Sequence, residues 1–221
     1  MAAPPAAALV DEEHELIEIM FAVTDFAQPL REEDVDPDPV RQFAAWFDQA
    51  TSAAVRAPEA AALATAATGG MPSVRMVLIK RFDDCGFVFS SYESRKGREL
   101  AVNPRAALMF HWDLLGRQVR IEGQVERTSR DESAAYVRGR PRASQISALA
   151  SPQSRTIDLL EQRVVAAIHA GRELTLPGAW GGFRLLPETF EFWQHREDRL
   201  HDRLRYKRPH DGGWRLERLA P

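Results

Sequence analysis

RQVRIEGQVER, residues 117–127, decides the class of fold. Val119, Ile121, Gly123 and Val125 alternate with Gln118, Arg120, Glu122 and Gln124, the two-residue period of a strand with one face buried. The same reading extends outward in both directions. Upstream, Ala106 to Trp112 and the branched run Val74 to Phe82 read as strands. Asp83-Asp84-Cys85-Gly86 makes a turn into a further strand, Phe87 to Ser91. The Ala-rich run Ala60 to Ala67 is ambiguous by composition, and its place before Gly69-Gly70 and another strand argues for β. Downstream, residues 129 to 170 read as helix in pieces, broken at Pro141 and Pro152. The tail returns to strand at Phe183 to Leu186, Thr189 to Gln194, Arg199 to Lys207 and, after an Asp211-Gly212-Gly213 turn, Trp214 to Leu219. Two helices punctuate the first half. One follows Pro39, with Val40, Phe43, Ala44, Trp46, Phe47 and Ala50 at three- and four-residue steps, and the other spans Ser94 to Val102. About six to eight strands with helices between them predict an α+β chain, mainly β, closer to a decorated barrel than to a βαβ sheet.

A chain of 221 residues supports one full domain. Residues 1–37 read as a poorly ordered acidic arm, Ala/Pro-rich at first and with one helical possibility around Glu13 to Phe21; residues 38–221 read as the folded domain. No window reaches the roughly 20 apolar residues of a membrane span, and Met-Ala-Ala-Pro-Pro does not open a secretory signal. A single cysteine, Cys85, cannot close an internal disulfide. The expected location is the cytoplasm. A net charge of −3 asks for no nucleic acid. The arginines nevertheless cluster, at Arg138, Arg140 and Arg142 and from Arg196 to Arg208, which is consistent with local anion sites and equally with solvated surface.

Four constellations could carry chemistry. In RMVLIK (75–80), Arg75, Val77 and Ile79 face one way and Met76, Leu78 and Lys80 the other, which places cations at a sheet rim. Ser94-Arg95-Lys96-Gly97 opens a helix with a good N-cap and two cations, an offer to a phosphate that Ser90 and Ser91 could extend; a capped surface helix is the commoner explanation of that tetrapeptide taken alone. Tyr136, Arg140 and Ser144 are four apart, and together would suit a second phosphate. Arg199, His201 and Arg203 alternate on the expected strand, so two arginines flank a histidine on one face, an arrangement that calls for an anion. There is no HExxH, CxxC pair, GxSxG, Walker loop or GxGxxG, and the remaining histidines lack ligand spacing. No metal site is expected, and redox chemistry would need an organic cofactor.

These blocks, in this order, resemble the pyridoxine/pyridoxamine 5′-phosphate oxidase family: DPVRQFAAWF (38–47), RMVLIK (75–80), SYESRKGREL (91–100), NPRAALMFHW (103–112), RQVRIEGQVER (117–127), YVRGRPRASQI (136–146), SPQS (151–154), WGGF (180–183), EFWQ (191–194), RLHDR (199–203) and ERLAP (217–221). Each is weak alone; their joint order and spacing are specific. The resemblance implies an FMN-binding split β-barrel with inserted helices, working as a homodimer with FMN at the subunit interface. It implies FMN held by Arg75, Met76, Val77, Leu78, Ile79, Lys80, Phe89, Ser90, Ser91, Arg95, Lys96, Gln118, Gln153, Ser154, Trp193 and Arg203. The substrate would meet Lys80, Tyr136, Arg140, Ser144, Arg199 and His201, with Arg199 and His201 over the reacting ring as the catalytic pair. The implied reaction takes a hydride equivalent from C4′ of pyridoxine or pyridoxamine 5′-phosphate to the flavin, which dioxygen reoxidises to give hydrogen peroxide and pyridoxal 5′-phosphate.

The chain departs from the family pattern in two places. MFAVTD (20–25) stands where relatives carry an Arg-x-x-Tyr lid, and Ser90-Ser91 stands where they often carry Thr-Asn. Two alternatives remain: a flavin oxidase of secondary metabolism acting on a phenazine-type substrate, and a non-catalytic protein that stores FMN or pyridoxal phosphate. The retained Lys80, Tyr136, Arg140, Ser144, Arg199 and His201 weigh against both.

Overall fold

The structure, a computed structural model, describes residues 28–90, 92–150, 153–154, 178, 180–209 and 212–221. In chain order the elements are α1 (Pro39–Ser52), β1 (Ala60–Ala66), β2 (Pro72–Leu78), β3 (Arg81–Asp83), β4 (Gly86–Ser90), α2 (Arg95–Val102), β5 (Arg105–Trp112), β6 (Arg117–Arg127), α3 (Arg130–Arg138), α4 (Arg142–Ala150), β7 (Gly182–Gln194), β8 (Asp202–Lys207) and β9 (Arg215–Arg218). The strands join one sheet in the order β2-β1-β5-β6-β7-β4-β3, with β8 paired to β7 and β9 to β8. The pairings β3–β4, β4–β7, β7–β8 and β8–β9 are antiparallel. The mainly β reading therefore holds, and β6 keeps the alternation of its sequence, with Val119, Ile121, Gly123 and Val125 buried.

Three boundaries differ from the sequence reading. The run Val74 to Phe82 is two strands, because the chain leaves β2 at Ile79 and the Lys80 amide donates to Val88 O at 2.8 Å, starting the β3–β4 hairpin. The two runs around Pro187 are one strand, β7. Its residues 182–185 pair with β4 and its residues 189–194 with β8, so Pro187 falls where that edge changes partner and no amide hydrogen is needed there. The last difference is at Arg199, whose φ of 65° puts it in a turn, so β8 begins only at Asp202. The possible helix at Glu13 to Phe21 lies outside the described residues.

Two compact units share the strands. One takes the chain up to Ala61, Met109–Ile121 and Glu188–Pro221; the other takes Ala62–Leu108 and Glu122–Pro187. The first has an aromatic core. Asp38 caps α1, its carboxylate accepting from the Val40 amide, and the helix buries Phe43, Trp46 and Ala50. Phe43 lies 4.9 Å from Phe110, Trp46 meets Phe192 edge-on at 5.1 Å, and Phe192 meets Tyr206 at 5.6 Å. Upstream of α1, Leu30 is buried, its amide donates to Asp202, and Glu32 pairs with Arg218 at 2.8 Å. In the second unit Leu63, Phe87, Phe89, Leu108, Phe183 and Leu185 are buried, with Phe89 stacked on Phe183.

Candidate functional site

The second unit contains two groups of the expected residues. The first gathers at the start of α2. Ser94 caps the helix by accepting from the Gly97 amide at 3.3 Å, as its sequence position predicts. The same hydroxyl accepts from Lys96 Nζ at 3.0 Å, and Gln153 Oε1 accepts from Nζ at 2.8 Å. Lys96 is buried, with 4% of its surface exposed. Its hydrogen-bond partners among the described residues are thus two neutral oxygens. Burial first, and the charge of Arg75 second, pull this ammonium down to about pKa 8.

Glu99, which sequence reasoning passed over, organises the arginines beside it. Its buried carboxylate accepts from Thr65 Oγ1 at 2.5 Å, Ser73 Oγ at 2.6 Å, Arg75 Nη2 at 3.1 Å and Arg95 Nε at 2.9 Å. Burial opposes its ionisation, but these hydrogen bonds and the Arg75 charge prevail and hold it at about pKa 2. Arg75 also donates to Leu63 O and to Thr65 Oγ1. On the opposite face of β2, Met76 and Leu78 are exposed, while Val77 is half-buried and Ile79 buried.

The second group surrounds a cavity of about 330 Å³. Lys80, Phe89, Tyr136, Trp180 and Glu132 are among its lining residues. Trp180 stacks on Tyr136, with ring planes 7° apart and centroids 6.1 Å apart, and Arg130 donates to Trp180 O at 2.8 Å. The Arg140 guanidinium lies 5.7 Å from the Tyr136 ring centroid. Helix α3 ends at Arg138, so Arg140 approaches Tyr136 from the loop before Pro141, not from the helix face. Ser144 is half-buried in the first turn of α4. Ser90 ends β4 opposite Gly182, Ser154 is exposed with a φ of 67°, and Ser91 and MFAVTD (20–25) lie outside the described residues.

The first unit holds the rest. Trp193 lies 4.7 Å from His201 between ring centroids, and His195 lies 5.1 Å from His201. His201 Nδ1 accepts from the Arg196 amide at 3.1 Å. Trp193 pairs in register with Arg203, whereas Arg199 is exposed in the turn and His201 directly precedes β8, so of the three expected on one strand face only Arg203 stands on the strand. A second buried carboxylate that sequence reasoning missed, Glu191, holds Arg203 by Nε and by Nη2, both at 2.8 Å, and Arg120 Nη2 at 2.6 Å. Gln118 is half-buried on β6. Glu99 stands four residues after Arg95 on α2 and Glu191 two residues before Trp193 on β7, and only such a helical or alternating position beside an expected residue could have marked them.

The donor set fits a phosphate monoester. A buried ammonium with neutral partners, two arginines tied to one carboxylate, and a capped helix start favour an anion of about −1.5 to −2 charge. Among the described residues no cluster of three or more His, Cys, Asp or Glu is placed to hold a metal ion, and no helix is long and apolar enough to cross a membrane.

The family model described as pyridoxamine 5′-phosphate oxidase matches residues 47–173, and that of the pyridoxine 5′-phosphate oxidase C-terminal dimerisation region matches residues 180–221. A pyridoxine/pyridoxamine 5′-phosphate oxidase of Cupriavidus taiwanensis is 51% identical over 197 residues, covering 87% of this chain and 93% of that protein. Among solved structures, PhzG from Burkholderia lata 383, in complex with tetrahydrophenazine-1-carboxylic acid, superposes with a TM-score of 0.82 at 33% identity, covering 87% of this chain and 98% of the other. A pyridoxamine 5′-phosphate oxidase-related, FMN-binding protein of Nostoc punctiforme superposes with a TM-score of 0.68 at 17% identity, covering 83% and 98%. The split β-barrel class expected from the sequence is the fold of these neighbours. By its matched regions and by its identity to the Cupriavidus oxidase, the chain belongs to the pyridoxamine 5′-phosphate oxidase family.

Proposed function

We propose that this chain is an FMN-dependent oxidase that converts pyridoxamine or pyridoxine 5′-phosphate to pyridoxal 5′-phosphate, with dioxygen as acceptor and hydrogen peroxide released, and with water consumed and ammonia released when the substrate is the amine, and that it works as a homodimer. The observation that carries the reading is the cavity where Lys80 and Tyr136 converge beside Arg140. About 330 Å³ is within the range of small-ligand sites, and an ammonium, a phenol and a guanidinium are the donors a phosphate monoester takes. Identity near one half to a pyridoxine/pyridoxamine 5′-phosphate oxidase supports it.

In this reading Lys96, Arg95, Arg75 and the first amides of α2 bind the FMN phosphate, and Gln153 and Ser94 orient Lys96. The chemistry FMN supplies when bound is two-electron acceptance from C4′ and delivery of those electrons to dioxygen. The rest of the flavin belongs to Met76, Val77, Leu78, Ile79, Phe89, Ser90, Ser91, Gln118, Ser154, Trp193 and Arg203. Lys80, Tyr136, Arg140 and Ser144 clamp the substrate phosphate, so that binding energy remote from C4′ orients the reacting carbon. Arg199 and His201 meet the pyridine ring, and the Arg196 amide on Nδ1 fixes how the His201 ring is turned. No nucleophile from the protein is required.

The likeness to PhzG favours a second reading, oxidation of a reduced phenazine. One experiment separates them. The spectrum of the purified protein should show bound flavin, and anaerobic pyridoxamine 5′-phosphate should bleach it. Bleaching by a dihydrophenazine with B6 phosphates inert would replace the first reading by the second, and a protein free of flavin that takes up none would end both.

A further inference from the structure

We infer that Glu191 is a positioning residue for Arg203, which sets how firmly the site holds its cofactor; the inference rests on the proposal that Arg203 contacts FMN. Glu191 sits on β7 with 6% of its surface exposed. It shares a sheet face with Trp193 two residues on, and Arg203 stands opposite Trp193 on β8. Arg203 therefore reaches back diagonally to Glu191, with Nε and Nη2 both on Oε1, while its Nη1 donates to Ala220 O at 2.8 Å. The guanidinium is tied on two sides, by the Glu191 carboxylate on β7 and by the Ala220 carbonyl in the segment after β9. The other carboxylate oxygen, Oε2, takes Arg120 at 2.6 Å.

Removing the carboxylate has two consequences. It leaves two guanidinium groups facing one another without the anion between them, and it frees Arg203 from one of its two tethers. Both effects turn Arg203 away from its pose on β8 opposite Trp193, at no cost to the aromatic core, which is built from other side chains. Arg120 is nearly half exposed and can move to solvent, so the loss concentrates on Arg203.

A double-mutant cycle on FMN affinity tests this, read by fluorescence titration of the cofactor-free protein. Glu191→Gln should weaken FMN by about tenfold or more, Arg203→Ala by a similar factor, and the double variant no further than Arg203→Ala alone, the signature of two residues acting as one unit. Arg120→Ala should stay within about twofold of wild type. Losses that multiply in the double variant, or a Glu191→Gln protein that binds FMN like wild type, would overturn the inference. Should Glu191→Gln not fold, Glu191→Asp in the same cycle, with the charge kept and the reach shortened, replaces it. Wild type failing to take FMN, or Arg203→Ala binding it normally, would defeat the parent reading and the inference with it, and each is recognised from its own titration.

Discussion

Lys96 shows how a single side chain can link charge, burial and ligand. Its ammonium is held by Ser94 and Gln153, and its pKa is pulled down to about 8 from the ordinary 10.5. Between those two values the unfolded chain carries a proton that the native chain has lost, so the stability of the cofactor-free protein rises with pH across that window, and the full burial penalty applies below it. A phosphate dianion favours the ammonium, so FMN affinity should fall over the same interval. Urea unfolding and FMN titration between pH 7.5 and 10.5 check both slopes, and Lys96→Gln should flatten them; slopes that persist in the variant would assign them to another group. Arg140 makes the matching prediction for substrate. Arg140→Ala should raise KM for pyridoxamine 5′-phosphate by roughly ten- to a hundredfold, the worth of a charge-assisted phosphate contact, with flavin content unchanged. An unaltered KM would remove Arg140 from the clamp.

Among the elements, the β3–β4 hairpin places Lys80 and Phe89 at the cavity, and it depends on one glycine. Gly86 has a φ of 127°, and a Cβ there would lie 2.1 Å from Leu185 O on the neighbouring β7. Only glycine meets both conditions. Gly86→Ala should cost on the order of 3 kcal/mol of unfolding free energy, from strain and from loss of β4–β7 pairing, read as a lower urea midpoint. Helix α2 is built from local rules instead. Ser94 satisfies its first turn, so the amides nearest Lys96 are set by four consecutive residues. That locality explains why the capped helix start could be read from Ser94-Arg95-Lys96-Gly97, whereas the approach of Arg140 to Tyr136 depends on a helix that stops at Arg138.

For the whole molecule, assembly is the property to measure. On the proposed homodimer the holo-protein should sediment at twice the chain mass, and β2, whose Val74, Met76 and Leu78 are exposed in the single chain, should be protected from amide exchange relative to a monomeric variant. A monomer that keeps its flavin would contradict the proposal. The order of elements, the buried face of β6, the cap of α2 and the helix break at Pro141 were all legible from residue periods, caps and turn residues, because each is decided within a few neighbours along the chain. Long-range pairing settled the remainder. Glu99 meets Arg75 across 24 residues and Glu191 meets Arg120 across 71, and no local pattern announces which carboxylate will neutralise which guanidinium. The same holds for Arg199, which alternation put on a strand and a left-handed turn takes off it. Side-chain period is a property of the chain's own backbone, but the partner of a buried charge is chosen by packing between elements distant in sequence, and that packing exists only once the sheet has formed.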